Sequence, residues 1–291
     1  MKLIKYLVEF ISIISLFVIF KIIGAKNASS LGSFLGIIVG PLFRSKKIIE
    51  NNIKIALGNI SDNERKKIIN GMWSNIGRTF AEYIFLKNFK LNKAGFDHIK
   101  ITGIEYLEEI KKSNKPVVFF SGHFANFELM AMELVKSGIN LAAIYRPLNN
   151  FFLNPLMEHL RKKYICPIQI PKGKSGSREI VKKINEGYSV ALMVDQRVSE
   201  GPRISFFNKG AHTTTIPTQI ALKYNCKLVP IYIERKNGTN FEMVVHKPYE
   251  INKTGTHEED IKNNSLKINQ NIEKMIVQNS SQWIWTHDRW K

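Results

Sequence analysis

A buried strand that runs directly into a histidine is the feature that most constrains how this chain can fold. Val117–Phe120 is a continuous apolar run, and the chain continues through Gly122 to His123. Strands of parallel sheets are covered on both faces, so they read as apolar runs without polar alternation. Helical character begins at Glu128. The pattern predicts a strand–turn–helix unit with His123 at the carboxyl end of the strand, where open α/β sheets bind ligands.

The rest of the chain alternates between short apolar runs and amphipathic stretches. Further strands are predicted at Ile99–Thr102, Leu141–Tyr145, Ser189–Val194, Lys227–Ile233 and Phe241–His246, and helices at Lys46–Leu57, Asp62–Leu86, Ser177–Asn185, Ile216–Tyr224 and Glu258–Asn279. Gly201–Gly210, which mixes cationic and aromatic residues, is predicted to be a surface loop. Such alternation predicts an α/β fold with a largely parallel central sheet and helices on both faces.

The amino-terminal segment is apolar enough to enter a membrane. Leu3–Ile23 is interrupted by only three charged residues and is about long enough to cross a hydrocarbon core of roughly 30 Å. A cleaved signal peptide is the alternative, although no clean cleavage site follows. Leu31–Phe43 is too short to span, so it is expected to lie in the interface or to pack on the domain. We therefore expect a transmembrane or interfacial anchor over residues 1–45 and a catalytic domain over residues 46–291.

The charge balance favours an anionic partner. Lys and Arg number 43 against 24 Asp and Glu, a formal net charge of +19. Nucleic acid, anionic lipid headgroups and an acidic protein would all be attracted. Nucleic acid is disfavoured because the basic residues are dispersed and form no recognisable nucleic-acid module. The two cysteines, Cys166 and Cys226, have no partners at metal-ligand spacing, so no metal site is expected.

Polar side chains that could bind or react follow three of the predicted strands. They are His123, Asn126 and Glu128 after the first, Arg146 and Asn149 after the next, and Asp195 and Gln196 after a third. Strand ends in one sheet meet at a common edge, so these residues can share a cleft.

Glu128 follows His123 by about one helical turn, so its carboxylate could hold the imidazole as a general base. A structural or solvated His–Glu pair has the same spacing. Arg146 could clamp an anion in bidentate fashion or simply pair with a neighbouring carboxylate. Asp195 could orient Arg146 or a substrate hydroxyl, or cap a loop.

Seven ordered blocks resemble one family. They are the stretch Leu31–Arg44 with Asn51–Leu57 and Asp62–Arg65, Ile101–Glu105, Ser121–Leu129, Tyr145–Asn150, Asp195–Gln196, Phe206–Thr214 and Gln282–Trp290. The chain resembles the lipid A biosynthesis acyltransferases, the late lauroyl/myristoyl acyltransferases of Gram-negative bacteria. These belong to the wider glycerolipid acyltransferase group with a His-x4-acid motif. Asn208, Lys209 and Ile216 depart from the family's glycine pattern, and Asp288 replaces a usual arginine.

The resemblance implies an enzyme at the cytoplasmic face of the bacterial inner membrane. It would move a fatty acyl group from acyl carrier protein, or a coenzyme A thioester, to a hydroxyl of a Kdo-bearing lipid A precursor. His123 would take the hydroxyl proton while Glu128 holds the imidazole, with Asn126, Arg146, Asn149, Asp195 and Gln196 as substrate-binding residues. The reaction would need no metal or cofactor. The alternative is a lysophospholipid or glycerophospholipid acyltransferase.

Overall fold

The computed structural model describes residues 2–91 and 98–291 of the chain. Its helices are α1 (Lys2–Ile23), α2 (Ala25–Val39), α3 (Lys46–Leu57), α4 (Asp62–Glu82), α5 (Leu86–Lys90), α6 (Ile104–Ser113), α7 (Glu128–Lys136), α8 (Leu153–Leu160), α9 (Lys174–Asn185), α10 (Ile216–Tyr224) and α11 (His257–Gln278). Its strands are β1 (Ile99–Thr102), β2 (Val117–Ser121), β3 (Leu141–Tyr145), β4 (Ile168–Pro171), β5 (Ser189–Met193), β6 (Arg203–Phe206), β7 (Lys209–His212), β8 (Lys227–Asn237) and β9 (Asn240–Val245).

A seven-stranded sheet with the order β1-β9-β8-β2-β5-β3-β4 forms the centre of the molecule. Its neighbouring strands are parallel except for β8 and β9, which pair antiparallel. β2 is buried along its whole length, as expected of a parallel strand that is covered on both faces. The predicted fold class, a largely parallel sheet flanked by helices, is confirmed.

The strand order brings three candidate site segments together. β2, β5 and β3 are consecutive in the sheet, and they precede His123, Asp195 and Arg146 respectively. The main-chain N–H of Val194 donates to the carbonyl of Ser121 at 2.9 Å, which extends the pairing of β2 and β5 to their carboxyl ends. The residues that follow these strands therefore start from one edge of the sheet.

The prediction of a surface loop over Gly201–Gly210 is wrong for most of this range, because most of these residues belong to a β-hairpin. β6 and β7 pair antiparallel as a separate two-stranded sheet. The turn residues Phe207 and Asn208 both have positive φ, 51° and 57°, which is typical of a tight hairpin turn. Phe206 is buried and stacks on Trp290 with ring centroids 5.4 Å apart. A Phe-Asn turn lacks the glycine that usually marks a hairpin in sequence.

α2 packs on α4 with the two backbones in direct contact. A Cβ on Gly77 would lie 1.9 Å from the carbonyl oxygen of Gly32, and a Cβ on Gly36 would lie 2.2 Å from the carbonyl oxygen of Trp73. Small residues are what permit such a close approach of two helices. The second apolar stretch therefore packs on the body of the protein, which is one of the two placements expected for it.

Candidate active site

His123 lies on a tight loop between β2 and α7. A Cβ at Gly122 would lie 2.7 Å from the ring of Phe124 and 3.2 Å from Oδ2 of Asp195. Only glycine therefore lets the main chain pass this close to the carboxylate without a shift of the neighbouring groups. The main-chain N–H of Phe124 donates to the carbonyl of Gly122 at 3.0 Å and tightens the turn.

The imidazole of His123 is held by Asp195. Nδ1 lies 2.8 Å from Oδ1 of Asp195, and the main-chain N–H of His123 donates to Oδ2 at 2.9 Å. Nε1 of Trp283 also donates to Oδ2, at 2.8 Å. Because an ionised carboxylate can only accept, Nδ1 carries the proton and Nε2 is left as the basic nitrogen.

Burial and ion pairing act in opposite directions on both members of this pair. Burial lowers the pKa of His123, but the charge of Asp195 and its hydrogen bond raise it, and the net pKa lies above the ordinary 6.5. Burial raises the pKa of Asp195, but His123 and the other donors bring it down to about 2. Asp195 is therefore a carboxylate at neutral pH, and it stabilises the imidazolium that forms when His123 takes up a proton.

Glu128 is bound by other groups, so the prediction that it holds the imidazole is wrong. Arg161 donates to Oε1 of Glu128 through Nε at 3.0 Å and through Nη2 at 2.5 Å, and the hydroxyl of Tyr83 donates to the same oxygen. The prediction assumed a helical turn from His123 to Glu128. The chain is irregular there, and α7 begins only at Glu128. The negative charge of Glu128 still raises the pKa of His123.

Arg161 and Tyr83 complete the surroundings of Glu128. Arg161 begins the π-helical turn Arg161–Ile165 that follows α8, and such turns often occur at functional sites. Burial lowers the pKa of Arg161, but the charges and hydrogen bonds of Glu128 and Tyr83 together raise it by more. Burial raises the pKa of Tyr83, and the charge of Glu128 raises it further, so the phenol remains a donor. We call His123, Asp195, Glu128 and Arg161 the pocket cluster.

The back of the His123 loop is fixed by α4 and the carboxyl-terminal segment. Ala125 has a positive φ of 43°, a conformation that costs a non-glycine residue on the order of 1 kcal/mol. Its carbonyl accepts from Nδ2 of Asn75 and Oγ1 of Thr79, both at 3.1 Å. Its N–H donates to the carbonyl of Gln282 at 3.1 Å. Three contacts thus hold the loop in a conformation that it would not adopt alone.

A cleft of about 540 Å³ opens in front of the pocket cluster. His123, Glu128 and Arg161 line it, together with cationic side chains from Arg44, Arg146, Lys172 and Arg197. A second cleft of about 620 Å³ shares Arg44, Gln196 and His287 with the first and adds apolar walls from Phe43, Ile48, Trp73, Ile76 and Ile284. The arrangement offers an anion-attracting cleft in front of a basic histidine and an apolar cleft that adjoins it.

The structure distributes the other predicted site residues between two places. Arg146, Asn149 and Gln196 line the first cleft. Asn126 is buried and donates through Nδ2 to Oε2 of Glu82 at 2.9 Å, behind the His123 loop. Asp195, predicted to bind substrate, lies behind the imidazole instead.

Two groups of the site were missed by sequence reasoning, Arg161 and Trp283. Arg161 stands in the basic run Arg161-Lys162-Lys163, where nothing in the sequence separates it from surface lysines. In the sequence, Trp283 stands out only as part of the carboxyl-terminal block Gln282–Trp290. The tryptophan itself is a sequence signal for a buried acceptor, because a buried indole N–H needs a hydrogen-bond partner. Asp195 is that partner.

Known proteins resemble this chain along most of its length. The family model described as bacterial lipid A biosynthesis acyltransferase matches residues 1–291. The chain belongs to the bacterial lipid A biosynthesis acyltransferase family. The lipid A biosynthesis lauroyltransferase of Escherichia coli (strain K12) is 23% identical over 256 residues, covering 85% of this chain and 79% of the relative. Lipid A biosynthesis acyltransferase 2 of Shigella flexneri is 24% identical over 244 residues, covering 80% and 74%.

A third relative agrees. The lipid A biosynthesis acyltransferase of Haemophilus influenzae is 23% identical over 266 residues, covering 85% of this chain and 78% of its own length. This lipid A acyltransferase family member is thus an O-acyltransferase that acts in lipid A biosynthesis, as the motif resemblance implied. The apolar α1 is consistent with association with a membrane.

Proposed function

We propose that the enzyme transfers a fatty acyl chain from acyl carrier protein to a hydroxyl of a Kdo-bearing lipid A precursor, at the cytoplasmic face of the inner membrane. The observation that carries the proposal is the His123–Asp195 pair at the wall of a cleft with a cationic mouth. An acidic carrier protein and a phosphorylated acceptor would both be attracted by a net charge of +19.

In the first step, Nε2 of His123 takes the proton of the acceptor hydroxyl, and the oxygen of that hydroxyl attacks the thioester carbonyl. Asp195 keeps the proton on Nδ1 and stabilises the imidazolium that forms. The tetrahedral intermediate then collapses, the C–S bond breaks, and the imidazolium returns its proton to the departing thiolate. The product is an ester and a free thiol, so the steps balance without a metal or a cofactor.

Glu128 and Arg161 contribute charge and position rather than proton transfer. Oε1 of Glu128 already accepts hydrogen bonds from Arg161 and Tyr83, so this oxygen is committed to those partners rather than to a substrate proton. The negative charge of Glu128 favours the imidazolium form of His123. Arg161, which lines the cleft, offers a fixed positive charge near the place where the intermediate develops its oxyanion.

Arg146 is the second candidate donor to that oxyanion or to an acceptor phosphate. It is exposed at the cleft mouth, directly after β3. The main-chain N–H of His123 is bound to Asp195 and is therefore not free for this role. The apolar second cleft, which adjoins the first at Gln196 and His287, suits the hydrocarbon of an acyl chain.

The test is the transfer of a labelled acyl chain by the purified enzyme. The wild type should acylate the lipid A precursor with acyl carrier protein as donor, and His123→Ala should lower the rate by about 10²- to 10⁴-fold. His257→Ala, at an exposed histidine on α11, is the matched control and should retain the wild-type rate.

Lysophospholipid and lipid A precursor are offered in parallel with the same donor. Faster acylation of lysophospholipid would replace the proposed acceptor, and coenzyme A thioesters as the better donors would replace the carrier protein. A His123→Ala enzyme with wild-type turnover would remove the base from the mechanism.

A further inference from the structure

α1 is attached to the body of the protein by one face, from Tyr6 to Phe20. Its half-buried and buried positions recur every three or four residues: Tyr6, Phe10, Ile13, Phe17 and Phe20. This is the periodicity of one face of a helix. The 22 residues of α1 span about 33 Å, and the attached face from Tyr6 to Phe20 covers about 21 Å of that length.

The two ends of α1 contact two different parts of the body. Near the amino-terminal end, Tyr6 packs edge-on against Phe151 with ring centroids 5.8 Å apart, and Nδ2 of Asn150 donates to the carbonyl of Tyr6 at 2.9 Å. Near the other end, Phe17 packs on Phe80 of α4 at 5.2 Å. α1 is therefore bound like a helix of the domain rather than tethered at one end.

The polar contacts of α1 argue against a bilayer crossing. Glu9 lies within about 6 Å of the midpoint of the helix, where a carboxylate in hydrocarbon costs several kcal/mol. It accepts from Nδ2 of Asn150 at 3.1 Å. If α1 crossed the membrane in this arrangement, Asn150 and the loop after β3 would enter the hydrocarbon with it, and loops are not tolerated there.

The opposite face of α1 is apolar and unpartnered within the described residues. Leu7, Ile11, Val18 and Ile22 are exposed on it. The apolar surface continues onto α2 at Phe34 and Ile38 and ends at Phe43. An exposed apolar patch of this extent marks an interaction site.

Cationic side chains border this surface. Lys2 and Lys21 lie at the two ends of α1, and Lys26, Arg44 and Lys47 follow along the chain, all exposed. Lysine and arginine at the edge of an apolar face are attracted to anionic lipid headgroups. Charge and apolarity together fit one leaflet of an anionic phospholipid bilayer.

We propose that α1 lies in the plane of the membrane, with its outer face in one leaflet, and does not cross the bilayer. The cleft then opens at the lipid surface, because Leu148 and Arg44 line its mouth and Leu148 adjoins the loop that binds α1. A lipid acceptor could reach His123 from the leaflet without leaving the membrane. The placement is independent of the proposed reaction, since it rests on contacts of α1 alone.

The test is the sidedness of the two ends of α1 in the full-length protein. Lys2→Cys and Lys26→Cys variants are placed in sealed membrane vesicles and labelled with a bulky, membrane-impermeant maleimide before and after detergent. Lys247→Cys, at an exposed position of the domain, reports which way the protein faces. The parent protein gives the background, which should be low because Cys166 and Cys226 are buried.

A helix in the plane of the membrane predicts that the thiols at positions 2, 26 and 247 react from the same side and to the same extent. A thiol at position 2 that reacts only after detergent, in vesicles where positions 26 and 247 react at once, would overturn the proposal. Because the readout is labelling, a failure here is distinct from a failure of the acyl transfer assay.

Discussion

Two carboxylate clusters flank the His123 loop, and they differ in what surrounds them. The pocket cluster faces the cleft, and 18% of the His123 side chain is exposed. The scaffold cluster (Glu82, Arg235, Asn75 and Asn126) lies behind the loop, where Glu82 is 0% exposed. The same types of charged group therefore face a cleft on one side of a short loop and support the loop on the other.

The charged groups of the scaffold cluster, Glu82 and Arg235, are bound by hydrogen bonds, whereas His123 of the pocket cluster keeps one open nitrogen. Nη1 and Nη2 of Arg235 donate to the two oxygens of Glu82 at 2.5 and 3.0 Å. Nδ2 of Asn126 and Oγ of Ser29 also donate to Glu82, at 2.9 and 2.8 Å. Nε2 of His123, by contrast, is left for substrate. A buried ion pair by itself is therefore weak evidence for a catalytic site. A basic nitrogen that is open to a cleft and lies next to such a pair is stronger evidence.

The largest expected effect is on the rate of acyl transfer, and it comes from Asp195→Asn. The amide keeps the size of the side chain but cannot stabilise the imidazolium, so the rate should fall by about 10²- to 10⁴-fold. The thermal midpoint of unfolding and steady-state kinetics measure stability and activity side by side. A rate within threefold of wild type would assign Asp195 to structural support.

The pH profile of the same variant separates charge from geometry. His123 is a base only when neutral, and its raised pKa places the rise in kcat/KM of the wild type above pH 6.5. Asp195→Asn removes the two larger causes that raise this pKa and leaves only the charge of Glu128, so the rise should move to lower pH. An inflection that stays in place while the rate falls would mean that Asp195 orients the ring without stabilising its charge.

The next largest effect is on stability and comes from the scaffold cluster. Glu82→Ala leaves the guanidinium of Arg235 buried without its counter-ion, which should lower the free energy of unfolding by about 3–5 kcal/mol. Glu186→Ala, which breaks the pair of the exposed Glu186 with Lys183, is the control and should leave the free energy of unfolding nearly unchanged. Denaturant titration measures both.

A double change completes this comparison. Glu82→Leu with Arg235→Met removes both charges and should recover part of the loss, because apolar replacements of a buried pair are often tolerated. If Glu82→Ala changed the free energy of unfolding as little as the surface control, the scaffold cluster would not be a structural support.

The sequence predicted which residues share an edge of the sheet better than it predicted their contacts. The apolar run of β2 and the alternation of strands and helices predict that His123 and Asp195 lie at one edge of the sheet, and the observed strand order places them there. The partner of His123 was misassigned because spacing along the chain describes only local neighbours. Asp195 lies 72 residues away, and Ala125, with its positive φ, breaks the helical turn that would have brought Glu128 to the imidazole. Within a run of basic residues, no sequence signal indicates that the side chain of Arg161 points into the protein.

The smallest expected effect is on the free energy of unfolding, and it comes from a change in the support of the loop between the two clusters. Thr79→Val removes one of the two donors to the carbonyl of Ala125 with almost no change of shape. Asn75 still donates to that carbonyl, so the free energy of unfolding should fall by only about 1 kcal/mol. Thr79→Ser keeps the hydroxyl and is the matched control.

Activity then tells whether this support reaches the reaction. Adding Asn75→Ala leaves the carbonyl of Ala125 without either side-chain donor, which should cost a further 1–3 kcal/mol or so. If the strained loop places the imidazole, kcat should fall in the double variant while KM and the pH of the inflection stay unchanged, because the contact of His123 with Asp195 is intact. A double variant that loses stability but keeps kcat would show that the scaffold cluster and the pocket cluster are energetically separate, with Asp195 alone fixing the base.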